Sequence, residues 1–145
     1  MKLKSILLSL IWLGICSCNS SQVVTNQSSI KTVKEYVESN EFIDVIPEEM
    51  TQATFYSKQD EKAHLYKMMA VMYRFYKHCS MDEAGIITCN ISSGKEINVS
   101  EEAFDMRVKE MNSWNNRIRE KVRNGVKYKV VRIDDKYFEN LLNFR

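Results

Sequence analysis

The sequence predicts an α+β fold, a small antiparallel sheet of three strands, or four, packed against two long and one or two short helices. Three observations carry this. Apolar residues recur at three- and four-residue steps through two long stretches, 57–79 and 100–124. Short alternating runs rich in Val and Ile stand between clusters of Ser, Asp and Gly. A single proline and four glycines leave few places where a helix must stop. The alternative architecture is an all-helical bundle with an appended hairpin.

Taken in order, Ser29 is placed to cap a short helix in which Ile30, Val33 and Val37 share a side, ending near Asn40. Phe42 to Ile46 alternates weakly and stops at Pro47, so it reads as extended. Ala53 to Tyr56 is too short to assign. Ser57, with Asp60 three places later, opens the strongest helix, which runs to about Cys79. Its apolar residues cover most of the circumference and leave a narrow polar stripe through Asp60, His64, Lys67, Arg74 and His78, so it belongs in the middle of the fold. Asp82 to Gly85 breaks the helix. Ile86 to Ile91 and Lys95 to Val99, joined by Ser92, Ser93 and Gly94, then read as a hairpin. Ser100 caps the next helix, where Glu101 and Glu102 complement the positive end of its dipole. Phe104, Val108, Met111, Trp114 or Asn115, Ile118 and Val122 mark its buried face, and Asn124-Gly125 ends it. Val126 to Ile133 is the expected third strand, Asp134-Asp135 a turn or cap, and Lys136 to Asn143 a last helix with Phe138, Leu141 and Leu142 inward.

The first eighteen residues, MKLKSILLSLIWLGICSC, have a different character. Lys2 and Lys4 precede an apolar run, Ile6 to Ile15, which has the plan of a secretory signal. That run is about half the roughly 20 residues that a helix needs to cross a bilayer. It ends at Cys16 and Cys18 rather than at a plain small-x-small cleavage site. This resembles the lipobox of bacterial lipoproteins, in which an aliphatic residue stands three places before a cysteine and small residues fill the two places between. Against Cys18 the pattern is Ile15, Cys16, Ser17; against Cys16 it is Leu13, Gly14, Ile15, with a bulky residue where the family has a small one. The resemblance therefore implies lipidation at Cys18 in preference to Cys16, with 1–17 as the lipoprotein signal peptide. It covers about an eighth of the chain. The chain also resembles the small lipoproteins of Bacteroidota-type bacteria. Surface-exported lipoproteins of that group carry acidic residues right after the lipidated cysteine, so the absence of Asp or Glu between Cys18 and Glu35 makes the resemblance imply a domain facing the periplasm rather than the cell exterior. Residues 18–29 would form a flexible tether, which at random-coil reach holds the domain roughly 15 to 20 Å from its anchor. Residues 30–145 suffice for one domain with one core.

Composition limits the function classes. Removing Lys2 and Lys4 from the 21 basic residues balances the 19 acidic ones, so overall charge gives no argument for nucleic acid. The charge is unevenly spread. Glu35 to Glu61 holds eight acidic residues and one Lys, whereas Arg107 to Arg132 holds nine basic residues and two Glu. Arg107, Arg117, Arg119, Lys121 and Arg123 are candidates for contact with an anionic or acidic partner, set against the alternative of a solvated face. Trp114, an aromatic among amides in Asn112-Ser113-Trp114-Asn115-Asn116, is the candidate anchor for a protein or a sugar; partial cover by the C-terminal helix is the structural alternative. Cys79 and Cys89 form an even pair in an exported chain, which suggests a disulfide worth up to about 2.8 kcal/mol by loop-closure entropy; two buried free thiols is the alternative.

Catalytic signatures are sparse. His64 and His78 stand about 21 Å apart on one helix, too far to share a metal ion or a reacting atom. His64, Met68 and Met72 at i, i+4, i+8 could hold copper(I), but Met at helical spacing is also what a core helix uses to fill gaps, and no metal or cofactor is expected. His78 and Cys79, as adjacent helical residues, point about 100° apart, which argues against a thiol–imidazole pair. Glu48-Glu49, Glu101-Glu102 and Asp134-Asp135 lie at helix starts or turns, where structure explains them. No Gly-rich phosphate loop, G-x-S-x-G or H-E-x-x-H occurs. The sequence thus leads to the expectation of a lipid-anchored, non-enzymatic binding protein of the bacterial envelope with a membrane anchor and a protein partner, such as an immunity protein, an inhibitor or an accessory subunit. The alternatives are a small envelope hydrolase or carbohydrate-binding lipoprotein, and a periplasmic copper carrier.

Overall fold

The computed structural model describes residues 30–45 and 58–145. The signal peptide, the tether with Cys16 and Cys18, the cap expected at Ser57, Pro47 and Ala53 to Tyr56 lie outside them, and α1 takes its cap from Thr32 in place of the expected Ser29 because the helix begins only at Val33. Among the described residues the elements are α1 (Val33–Ser39), α2 (Lys58–Tyr76), β1 (Cys79–Met81), β2 (Ile87–Cys89), a 3₁₀ turn (Gly94–Ile97), α3 (Glu101–Arg123) and α4 (Asp135–Leu142). Helices and a small antiparallel sheet make the class α+β, but the sheet has two strands rather than three or four.

Local chemistry sets the helix ends. Thr32 caps α1 through a reciprocal pair: its Oγ1 accepts from Glu35 N at 3.3 Å, and the Glu35 carboxylate accepts from Thr32 N at 2.7 Å. Those hydrogen bonds hold the Glu35 carboxyl below its usual range. Asn40 closes α1 in the left-handed conformation with φ 50°. Ser100 caps α3 by accepting from Ala103 N, and Asp134 caps α4 by accepting from Tyr137 N at 2.9 Å. Gly125, at φ 64°, follows the end of α3.

α2 is the central element, and α1, α3, α4 and β1 all pack on it. Ala70, Val71 and Phe75 are completely buried, and Tyr66 and Met68 nearly so. Around them gather Val33, Ile43, Val45, Ile97, Val99, Ala103 and Phe104, so one core joins α1, α2, the 3₁₀ turn and the start of α3. Phe75 meets Phe104 edge to face at 5.7 Å, and Tyr73 meets Phe138 of α4 at 5.2 Å.

The expected hairpin between Ile86–Ile91 and Lys95–Val99 is replaced by another. β2 pairs backward with β1, in the register Cys79↔Cys89, Ser80↔Thr88, Met81↔Ile87. The turn chemistry lies at Asp82–Gly85, where Gly85 adopts φ 90° and Asp82 Oδ1 accepts from Ile86 N at 2.8 Å. Ser92, Ser93 and Gly94 open a 3₁₀ turn instead, because the Glu96 carboxylate gathers the N–H groups of Ser92 and Ser93 at 2.8 and 3.1 Å. A Cβ on Gly94 would stand 2.6 Å from Val99 O, so the chain folds back there only with glycine. Val99 bridges Ile43 in parallel, with Ile43 N donating to Asn98 O and Ser100 N to Ile43 O. Val126 to Ile133, the expected third strand, joins no ladder.

One member of the polar stripe on α2 is not a surface residue. Arg74 is 7% exposed, and its guanidinium donates to four backbone carbonyls: Nη1 to Glu41 O at 2.7 Å, Asn98 O at 2.9 Å and Ile97 O at 3.3 Å, and Nη2 to Tyr36 O at 2.6 Å. Burial pushes its pKa down, yet an arginine stays charged in a protein. The carbonyls come from the end of α1, from the segment after it and from the 3₁₀ turn, so one side chain joins three separate pieces of backbone to α2. Arg74→Met keeps the stem but removes all four guanidinium hydrogen bonds, leaving Asn98 O only its bond from Ile43 N. The expected loss is on the order of 3 kcal/mol in urea unfolding, with Arg74→Lys intermediate because one ammonium reaches fewer carbonyls. An unchanged midpoint for Arg74→Met would refute the assignment.

Candidate functional site

The described residues form a groove of about 380 Å³ along one flank of α3. Glu110, Ser113, Trp114 and Arg117 line it at helical spacing from α3. Tyr76 comes from the end of α2, Met81 and Ile87 from the hairpin, Val131 and Ile133 from the extended segment, and Tyr137 from α4. The volume lies at the lower end of the range that takes small ligands or a partner's side chain.

Several groups at the groove are held by a neighbour. The Trp114 indole Nε1 donates to Gly85 O at 2.8 Å, fixing the ring against the hairpin turn, and the Arg117 guanidinium lies 5.8 Å from its centroid. The half-buried Trp114 therefore leans on the hairpin turn, where the sequence suggested the C-terminal helix as its cover. Tyr76 and Tyr137 meet edge to face at 5.9 Å. Burial pushes the Tyr137 phenol up to about 12 and raises that of Tyr76 as well, with the Arg107 charge opposing both shifts. Both phenols are neutral donors at neutral pH.

Arg107 is not an exposed contact residue. It is 4% exposed and grips Glu110 of its own helix with both terminal nitrogens, Nη1 and Nη2, at 3.0 Å each, while its Nε has no partner. Glu110, the one carboxylate lining the groove, is thereby engaged. A glycosidase needs two carboxylates flanking a cleft, and this groove does not bring two together.

The other cationic candidates divide between two flanks of α3. Arg117 and Lys121 turn toward the groove side, with Lys121 Nζ 5.6 Å from the Tyr128 ring, whereas Arg119 and Arg123 line a shallow surface on the opposite flank with Asn116 and Glu120. Val122, expected inside, is 55% exposed, and the buried face of α3 runs instead through Ala103, Phe104, Arg107, Asn115 and Ile118. Asn115 was half visible in the sequence as the alternative to Trp114. Its buried amide accepts from Ile87 N at 2.8 Å and donates to Ile87 O at 2.7 Å, so a side chain takes the place of a neighbouring strand on β2. The i, i+1 juxtaposition of Trp114 and Asn115 puts one over the hairpin turn and the other under the strand.

The disulfide expected between Cys79 and Cys89 is not formed; both are free thiols. They stand opposite each other in the ladder, between the hydrogen bonds Asn90 N to His78 O and Asp82 N to Ile86 O. Cys79 Sγ donates to Phe75 O at 3.4 Å, and burial, with Cys89 beside it, drives its pKa strongly upward. A neutral, half-buried thiol is a poor nucleophile. His78 is exposed and gives Cys79 no catalytic base. In α2, Met68 is 4% exposed within the core, where its thioether serves packing, and Met72 and His64 are partly buried one turn on either side. Among the described residues no group of three or more His, Cys, Asp or Glu is placed to hold a metal ion, and no helix is long and apolar enough to cross a membrane.

No family model, curated protein or solved structure matches this chain.

Two outcomes follow from this geometry. Asn115→Leu removes both hydrogen bonds to Ile87 and should cost about 2 to 3 kcal/mol, read as a lower urea midpoint and faster amide exchange in β2; unchanged exchange there would count against the strand-like role. In the reduced folded chain at pH 8, Cys79 should resist iodoacetamide and react only on unfolding, and prompt alkylation would contradict a raised thiol pKa.

Proposed function

We propose that this chain is a lipid-anchored binding protein of the bacterial envelope, with acyl chains on Cys18 and a domain that recognises a protein partner through the Trp114 groove. The observation that supports this best is the chemistry of the groove. A Trp, two Tyr and an Arg gather beside apolar side chains, and these are the residue types that dominate the energy of protein interfaces. The indole and the phenols are already positioned by their neighbours, so little conformational freedom is lost when a partner docks. The single lining carboxylate is committed to Arg107, which favours recognition over acid–base chemistry.

The mechanism is confinement. Two or three acyl chains hold the domain at one leaflet, and the short tether raises its effective concentration for a partner at the same surface. An inhibitor, an immunity protein or an accessory subunit of an envelope complex would each work this way.

Two measurements test the parts separately. Intact-mass analysis of chain extracted from membranes should find a diacylglyceryl-modified species beginning at Cys18, and Cys18→Ala should release the chain into the soluble fraction; an unmodified mass in the parent removes the anchor. A photo-crosslinking side chain in place of Ser113, on the rim of the groove, should capture a discrete protein in native membranes, and Trp114→Phe should weaken that capture about tenfold or more. Capture indifferent to Trp114 removes the groove from the interface.

A further inference from the structure

Residues Val126 to Ile133 read Val-Lys-Tyr-Lys-Val-Val-Arg-Ile, a strand composition without Gly or Pro. Among the described residues, no backbone hydrogen bond joins 127–133 to another segment. The segment is nonetheless held firmly. Val126 N donates to Lys121 O at the end of α3, and Asp134 caps α4 immediately after it. Between those ends every second side chain fastens to the hairpin turn: Tyr128 Oη donates to Ala84 O at 2.9 Å, Val130 packs against Gly85, and Arg132 donates to Asp82 O at 2.7 Å and Glu83 O at 3.2 Å. The period of two is that of a β-strand. The alternate side chains are left to solvent and to the groove, with Lys127 and Lys129 exposed, Val131 62% exposed and Ile133 at the groove wall.

We infer that 126–133 is a docking edge for a strand from another protein, and that this strand is acidic opposite Lys127 and Lys129. This deepens the proposal of a protein-binding domain and rests on it. An extended segment with free N–H and C=O groups is a template for strand addition, in which backbone hydrogen bonds supply affinity and alternate side chains supply specificity. Charge decides the occupant. The segment carries three cations and no Asp or Glu, and Arg117 and Lys121 on the groove side of α3 add to the same field. A second copy of this segment would double the cations in one ribbon, and like charges facing each other across strands are destabilising. An acidic strand neutralises them. At the far end, the Arg132 guanidinium is already engaged by the backbone carbonyls of Asp82 and Glu83, so the partner's acids belong toward Lys127, and apolar residues belong beside Val131 and the Trp114 groove.

The test uses the full chain in detergent and three fluorescent octapeptides with blocked ends: one alternating Glu and Val, one alternating Lys and Val, and the Glu/Val peptide N-methylated at alternate positions, which keeps the charge and removes the ladder donors. The Glu/Val peptide should bind and slow amide hydrogen exchange across 127–133 about tenfold, while the other two should bind about tenfold more weakly or not at all. The double variant Lys127→Glu, Lys129→Glu, exposed at both positions and expected to fold, should transfer the preference to the Lys/Val peptide. Absence of binding, binding unaffected by N-methylation, or a peptide-free dimer that protects 127–133 in sedimentation and exchange measurements would each overturn the inference. A membrane partner whose crosslinks avoid 127–133 would overturn it too and leave the binding-protein proposal standing. A chain that lacks lipid but binds the Glu/Val peptide removes the anchor and supports the docking edge.

Discussion

The rest of the structure depends on one buried cation. Arg74 projects from the middle helix and, among the described residues, pairs with no carboxylate; its charge is solvated by four carbonyl dipoles, one of them Tyr36 O near the negative end of α1. A short helix such as α1, seven residues long, is not stable on its own propensity. It is held by its Thr32–Glu35 cap, by Val33 in the core and by this guanidinium at its other end. The same group aligns the segment from Asn40 to Ile43 with Asn98 and Val99, so the isolated Ile43–Val99 bridge is a consequence of where Arg74 ends.

A second constraint operates on the opposite side of α2. The hairpin is only three residues per strand, too small to stand alone. α3 supports it through adjacent residues that do different things, Asn115 completing the backbone of Ile87 and Trp114 fixing the turn at Gly85. Beside these two contacts, Trp114, Tyr76 and Tyr137 line the groove together. The indole and the Glu110 carboxylate at its wall are positioned by structural contacts with Gly85 and Arg107.

The two long helices, and the caps at Ser100 and Asp134, were legible in the sequence. Periodicity, Ser100 with Glu101 and Glu102, Asn124-Gly125 and Asp134 are local signals that act within a turn or two of the chain. The β elements were not. The run Ile86 to Ile91 was recognised as a strand, but its partner was assigned downstream to Lys95 to Val99, because a single sequence does not reveal that Glu96 will gather the amides of Ser92 and Ser93 into a 3₁₀ turn. Val126 to Ile133 carries strand residues and adopts an extended path without a ladder, since a strand is defined by what lies beside it. At the site, Trp114 and Arg117, both named from the sequence as contact candidates, lie together along the groove. Arg107 was grouped with them although it is buried, because its burial depends on Tyr76 and Tyr137 arriving from other helices.

By itself the sequence determined where the chain coils, where those coils start and stop, and that one helix would be apolar almost all round; these follow from torsional preference and side-chain spacing over a few residues. The tertiary structure alone decided which strand pairs with which, that Arg74 and Arg107 leave water, and that Trp114 becomes the wall of a groove. Pairing and desolvation are set by groups far apart in the chain, and their free energies exist only once those groups have been brought into contact.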